Sequence, residues 1–272
     1  MRIGLITADP GHPVLAATAA LLADRHEVTI VDPAGPAGPA LADVYLLKAH
    51  TRRSLSLAQE LERRGAPVIN SAAATELCQD RVRMAELARA ADLPFAATRD
   101  AGRLAELAEL ADPAYPFVVK SRHSRRHDLV ARVDGPARLR ELVARWPDEP
   151  VVTQPFVPGT GWDQKLWVID RQVFAARRRS ELADSEGESG QGQDWEPPAD
   201  RAALALRVGE VFGLDVYGVD LLDGPAEPVI VDVNAFPGIR GRPGAPEALA
   251  ALALRVAAER GRGRAGAGPI SG

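Results

Sequence analysis

Two acids and an amide, Asp220, Asp232 and Asn234, form the grouping in this sequence with the clearest chemistry. They lie in Tyr217-Gly218-Val219-Asp220-Leu221-Leu222 and Val229-Ile230-Val231-Asp232-Val233-Asn234, two apolar runs separated by a Gly/Pro turn. Side chains alternate along a strand, so Asp232 and Asn234 share one face while Val231 and Val233 share the other. A turn centred near Ala226 sets Asp220 opposite Asp232, with Cβ atoms roughly 4.5–5.5 Å apart. Two carboxylates that close in an apolar hairpin repel each other, and a hard divalent cation is the economical neutraliser. Mg²⁺ takes one or two carboxylates and leaves its other positions to water and substrate phosphates; Mn²⁺ is the alternative. The competing explanation is an exposed hairpin edge whose acids only blunt aggregation. The following Asn234-Ala235-Phe236-Pro237-Gly238 weighs against it.

The basic residues are the second signal. Of 33 Lys and Arg, only Lys48, Lys120 and Lys165 are lysines, so a retained lysine suggests a need for a compact point charge. Lys120 closes the apolar run Phe117-Val118-Val119-Lys120, where its ammonium calls for an anionic partner. A lysine that merely snorkels from a strand end is the plainer reading. Asp163 and Lys165 fall two apart in Asp163-Gln164-Lys165-Leu166-Trp167-Val168 and therefore point to one face.

The elements that must position these groups can be read from periodicity. Arg2–Thr7, His26–Val31, Asp43–Lys48 and Pro67–Asn70 read as strands, with helices at Pro13–Ala23 and Leu55–Arg64 between them. That alternation predicts a parallel sheet covered on both faces. Asp9-Pro10-Gly11-His12 follows the first strand, where α/β folds often bind ligands, but it lacks the glycine spacing of a dinucleotide site. A helix is expected over Asp80–Ala91, extending back to Ala73, and another near Leu104–Leu110. Strands follow at Phe117–Lys120, Leu129–Val133 and Val151–Phe156, with a helix at Pro136–Arg145. A hairpin of Gln164–Ile169 with Gln172–Arg177 precedes a mobile loop, Asp184–Asp200. Helices Arg201–Phe212 and Pro246–Arg260 flank the acidic hairpin.

Val231-Asp232-Val233-Asn234-Ala235-Phe236-Pro237-Gly238, preceded by Gly218-Val219-Asp220, resembles the C-terminal signature of the ATP-grasp superfamily, in particular the RimK-like carboxylate–amine ligases. The resemblance in element order and spacing runs from about Asn70 to Gly241. It implies an α/β (α+β) fold, an ATP-grasp core preceded by a small parallel α/β domain. The implied units are 1–72, a central subdomain 73–150, a C-terminal subdomain 151–262, and a disordered tail 263–272. It further implies ATP and Mg²⁺ as cofactors, the metal being held by Asp220, Asp232 and Asn234. Lys120 and Arg81 match residues that reach the phosphates. Gln154-Pro155-Phe156-Val157 matches the connection that binds adenine, and Asp163 and Lys165 match a strand lining the active site. Arg179 matches an arginine that stabilises charge on the transferred phosphoryl group. Two departures stand out. The flap after the lysine strand, usually glycine-rich, reads Ser121-Arg122-His123-Ser124-Arg125-Arg126-His127-Asp128 and could clamp phosphates or an anionic co-substrate through its side chains. The Asn…Gly-Gly stretch of the RimK-like ligases is replaced by the loop Asp184–Asp200.

The function so implied is an ATP-dependent carboxylate–amine (or thiol) ligase working through an acyl phosphate, on small-molecule or peptide substrates. The alternative is a kinase similar to the inositol polyphosphate kinases of the same superfamily. A net charge of −4 argues against general nucleic-acid or membrane binding. The lone Cys78 excludes an intrachain disulfide, and no zinc motif is present. No apolar stretch approaches the roughly 18–20 residues of a membrane helix, and the N-terminal apolar run is too short for a signal peptide. The expected location is the cytoplasm; a homo-oligomer is left open.

Overall fold

The computed structural model describes residues 1–109, 114–125, 127–158, 160–180, 182, 193–224 and 227–266. The first layer contains β1 (Arg2–Thr7), α1 (Pro13–Ala23), β2 (Glu27–Val31), β3 (Val44–Lys48), α2 (Arg52–Arg63) and β4 (Val68–Ile69). Its four strands are parallel in the order β2-β1-β3-β4. Alternate residues of each strand face opposite layers. Tyr45 and Leu47 pack with Leu57 and Leu61 of α2 on one face, while Leu46 and Leu5 face α1 on the other.

Next come α3 (Ala72–Leu77) and α4 (Arg81–Ala90). The single helix expected from Ala73 is broken here, because Asp80 adopts an extended backbone and its carboxylate accepts from the amides of Val82 and Arg83, starting a new helix. The central sheet is formed by β5 (Arg99–Arg103), β6 (Phe117–Ser121), β7 (Val130–Val133) and β8 (Pro150–Pro155) in the order β5-β8-β6-β7, with α5 (Leu104–Glu109) and α6 (Pro136–Arg145). β5 escaped the sequence reading: Arg99-Asp100-Ala101-Gly102-Arg103 has little strand propensity and is a strand through edge pairing with β8.

The last sheet has the order β11-β10-β9-β12-β13 and contains β9 (Trp162–Ile169), β10 (Gln172–Arg179), β11 (Gln193–Asp194), β12 (Val216–Asp223) and β13 (Pro228–Ala235). Most of the loop expected at Asp184–Asp200 lies outside the described residues, as does the turn at 225–226; β11 and the start of α7 (Ala199–Phe212) occupy its described end. The final helix, α8 (Ala245–Gly266), runs beyond the Arg260 end expected from sequence, into the stretch read as a tail; residues 267–272 lie outside the described residues. Leu249, Leu252 and Ala253 pack with Leu5, Leu15 and Leu46, and the same cluster takes in Ile169 and Val216, so α8 lies beside α1 on that face of the first sheet and bridges to the last sheet.

Asn70 joins the first and last layers. Fully buried, it donates Nδ2 to the Val216 carbonyl at 2.6 Å and accepts at Oδ1 from the amides of Asp215 and Val216 at 2.8 and 2.9 Å. Asn70→Ala leaves those backbone groups without partners, and the expected cost is about 2–4 kcal/mol, measurable as a lowered urea midpoint.

Candidate functional site

The central and last sheets face each other across a cleft of about 460 Å³. One wall carries Val118 and Lys120 of β6, Val130 of β7, and the connection Gln154–Pro158; the other carries Asp220, Leu222, Val231 and Asp232. Asp220 and Asp232 are direct partners in the β12–β13 ladder, with an irregularity immediately after Asp220, and Asn234 is opposite Gly218 on the same face as Asp232.

Each acid holds a cation. Lys165 Nζ lies 2.8 Å from both Asp220 oxygens, placed there because Lys165 is opposite Asp220 in the β9–β12 ladder. Arg81, almost fully buried, donates Nη2 to Asp232 Oδ2 at 3.0 Å, and Nη1 to the Ser121 carbonyl and Asp128 Oδ2, each at 2.7 Å. Burial works against the charge of Asp232, but the Arg81 and Lys120 charges outweigh it and hold the carboxyl below its ordinary range. Lys120 donates to the Val231 carbonyl at 2.8 Å, bridging the cleft. Burial lowers its pKa, with Asp232 opposing that shift.

At the other end of the cleft, Gln154 is buried and donates to Thr98 Oγ1 at 2.9 Å, leaving the following Pro155–Val157 to line the space. The Arg132 guanidinium stacks 4.1 Å from the Phe156 ring centroid.

The structure thus brings Lys120, Gln154, Phe156, Val157, Asp163, Asp220 and Asp232 to one cleft, with Arg81, Lys165 and Asn234 immediately behind or beside the two acids. Arg179 is placed differently. It is exposed and stacks over Trp162 at 4.6 Å, whereas its neighbour Arg178 lines the cleft, opposite and ion-paired to Asp163 at 3.5 Å. The flap arginines are also committed elsewhere: Arg122 pairs with Asp80 and Asp100, and Arg125 with Glu149. Arg126 lies outside the described residues.

The donor set suits a hard cation. Among the described residues no three or more His, Cys, Asp or Glu side chains gather as ligands; the oxygens at hand are the two facing carboxylates, with the Asn234 amide on the Asp232 face of β13. That set fits Mg²⁺, which completes its shell with phosphate and water.

Two facing sheets with a buried lysine on one and paired acids on the other form the ATP-grasp arrangement. The chain belongs to the RimK-like ATP-grasp domain family, whose model matches residues 80–245. A RimK domain ATP-grasp protein from Sphaerobacter thermophilus shares the architecture with a TM-score of 0.74 and 26% identity, over 93% of this chain and 100% of that one. D-alanine–D-alanine ligase from Bacillus anthracis shares the fold with a TM-score of 0.71 at 18% identity, over 98% of this chain and all of the other. A probable alpha-L-glutamate ligase from Thioalkalivibrio sulfidiphilus is 36% identical over 97 residues, which is 34% of this chain and 32% of the relative. The match to that relative thus spans about a third of its length. No described helix is long and apolar enough to cross a membrane.

Proposed function

We propose that the chain is an ATP- and Mg²⁺-dependent carboxylate–amine ligase, with Asp220, Asp232 and Asn234 as metal ligands. The observation that carries this reading is the convergence of Lys120, Asp220 and Asp232 at one end of a cleft whose other end is the Gln154–Val157 connection. The apolar Val118, Val130 and Leu222 suit an adenine ring, and the charged end suits phosphates. When bound, Mg²⁺ neutralises phosphate charge.

The chain's own groups do the remaining work. A substrate carboxylate oxygen attacks the γ-phosphorus, the bond to the β,γ-bridging oxygen breaks, and ADP leaves. An amine nitrogen then attacks the acyl carbon, the carbon–oxygen bond to phosphate breaks, and phosphate and a proton are released. A carboxylate is already a nucleophile, so the first step needs positioning and charge neutralisation more than a base. Lys120 meets the phosphates from β6. Arg81 and Lys165 hold Asp232 and Asp220; were Mg²⁺ held by those carboxylates, the two cations would be free to meet phosphate oxygens. Arg178, on the cleft face, is better placed than Arg179 to approach the transferred group.

The test is incubation with MgATP and amino-acid or peptide acceptors, L-glutamate first, since one relative is named for it. Free phosphate appearing only with an acceptor, together with a new amide by mass spectrometry, is the expected result. Phosphate retained on the acceptor would instead identify a kinase. Arg122 and Arg125 of the flap are paired with acids in this structure.

A further inference from the structure

The apolar end of the cleft carries a cation of its own. Side chains alternate along β7: Ala131 and Val133 enter the core of the central sheet, while Val130 and Arg132 line the cleft. Arg132 is level with Val118 of β6, and Val118 is level on its other side with Gln154 of β8. Lys120, two residues further along β6, is level with Val130. The phosphate end therefore lies toward Lys120, and Arg132 stands beside the apolar floor one row further from it.

Two contacts fix the Arg132 guanidinium. β7 and β8 are separated by β6, roughly 10 Å at two strand spacings, so Arg132 and Phe156 meet across the width of that strand, Cζ 4.1 Å from the ring centroid. On the other side Asp134 Oδ1 lies 2.6 Å from Nε; the Asp134 side chain is 57% exposed and that of Arg132 only 17%. A ring and a carboxylate thus aim a mostly buried guanidinium from a rigid strand.

A floor of Val118 and Val130 would hold any flat ring without a charge beside it. What the charge adds is recognition of an acceptor. Phe156 and Val157 follow the last residue of β8, and their backbone lies on the β8 side of Val118. Backbone carbonyl and amide groups there match the amino group and N1 of adenine. A base resting on Val118 in that orientation turns its five-membered ring, with N7, toward β7 and Arg132. N7 is an acceptor in every purine and has no counterpart in a pyrimidine ring, and a guanidinium only donates.

We propose that Arg132 is a base-contact residue of the nucleotide site, donating to purine N7 and so selecting purine over pyrimidine nucleotides. This rests on the ATP reading above and adds the residue that recognises the base.

The test is isothermal titration of the full chain, in Mg²⁺, with ADP, 7-deaza-ADP (C–H in place of N7), CDP and pyrophosphate, on wild type and Arg132→Met. Wild type should bind ADP about tenfold more tightly than 7-deaza-ADP, the worth of one hydrogen bond from a charged donor, and CDP no better than 7-deaza-ADP. Arg132→Met should bind ADP about tenfold more weakly, no longer distinguish it from 7-deaza-ADP, and bind pyrophosphate as wild type does. Lost packing alone would weaken ADP and 7-deaza-ADP together and leave their ratio unchanged. Equal binding of the two by wild type, or the wild-type ratio surviving in Arg132→Met, overturns the contact. So does a matching loss of pyrophosphate, which would place Arg132 at the phosphates. CDP bound as tightly as ADP overturns the selection. Should Arg132→Met not fold, the exposed change Asp134→Asn, which releases the guanidinium, takes its place and should reduce the same ratio. Wild type that fails to bind MgADP sinks the ATP reading and this proposal with it, whereas MgADP binding with an unaltered ratio removes Arg132 alone.

Discussion

Asp232→Ala is expected to abolish MgADP binding and also to destabilise the fold by about 3–5 kcal/mol, whereas Asp220→Ala should remove the nucleotide at a stability cost of only about 1 kcal/mol. The two acids face each other, yet their partners differ. Asp232 is 14% exposed and neutralises Arg81, whose side chain is 4% exposed. Removing that carboxylate leaves the guanidinium with Asp128 alone and takes away the acid that most supports the buried Lys120 charge. Asp220 pairs with Lys165, and both side chains are more than a fifth exposed, so water replaces the lost partner. Urea unfolding of the two variants beside wild type, with MgADP titration of each, measures both effects. Equal destabilisation by the two changes would show that Arg81 and Lys120 do not depend on Asp232 for their charge balance.

The asymmetry between these acids could not have been read from the sequence, although their pairing could. Alternation along two apolar runs, joined by a Gly/Pro turn, is a local property, and it set Asp220 opposite Asp232, as the ladder has it. The irregularity after Asp220 left no mark in the pattern. Lys120 was legible for a similar reason: it ends an apolar strand, and that strand is buried throughout. Arg178 was missed although a signal existed. With Asp170 and Arg171 as the turn, the β9–β10 register sets Arg178 opposite Asp163, so counting outward from that turn would have selected it over Arg179. The flap arginines offered no such count. Their partners Asp80, Asp100 and Glu149 lie on three separate stretches of chain that only the tertiary fold brings together. The return of α8 onto the first sheet is likewise a matter of long-range packing.

Lys120→Met should weaken MgADP about 10- to 100-fold, the worth of one charge-assisted contact, and lower ligase turnover by about 10²–10³-fold if the ammonium meets charge that grows on the transferring phosphoryl group. Fold stability should stay within about 1 kcal/mol of wild type. The folded protein holds this ammonium against burial, which is why its pKa is lowered, so replacing it with an apolar chain of similar length relieves that cost. The relief is set against a hydrogen bond lost at the Val231 carbonyl and a cation withdrawn from Asp232. Arg81 remains as the direct partner of Asp232, so the acid keeps its neutralising charge. The two variants therefore separate what a cleft residue does for the nucleotide from what it does for the fold: Asp232→Ala should lose both, Lys120→Met only the first. A strongly destabilised Lys120→Met protein would mean that the bridge from Lys120 to Val231 holds the two sheets together, and its loss of nucleotide could then no longer be assigned to phosphate contact.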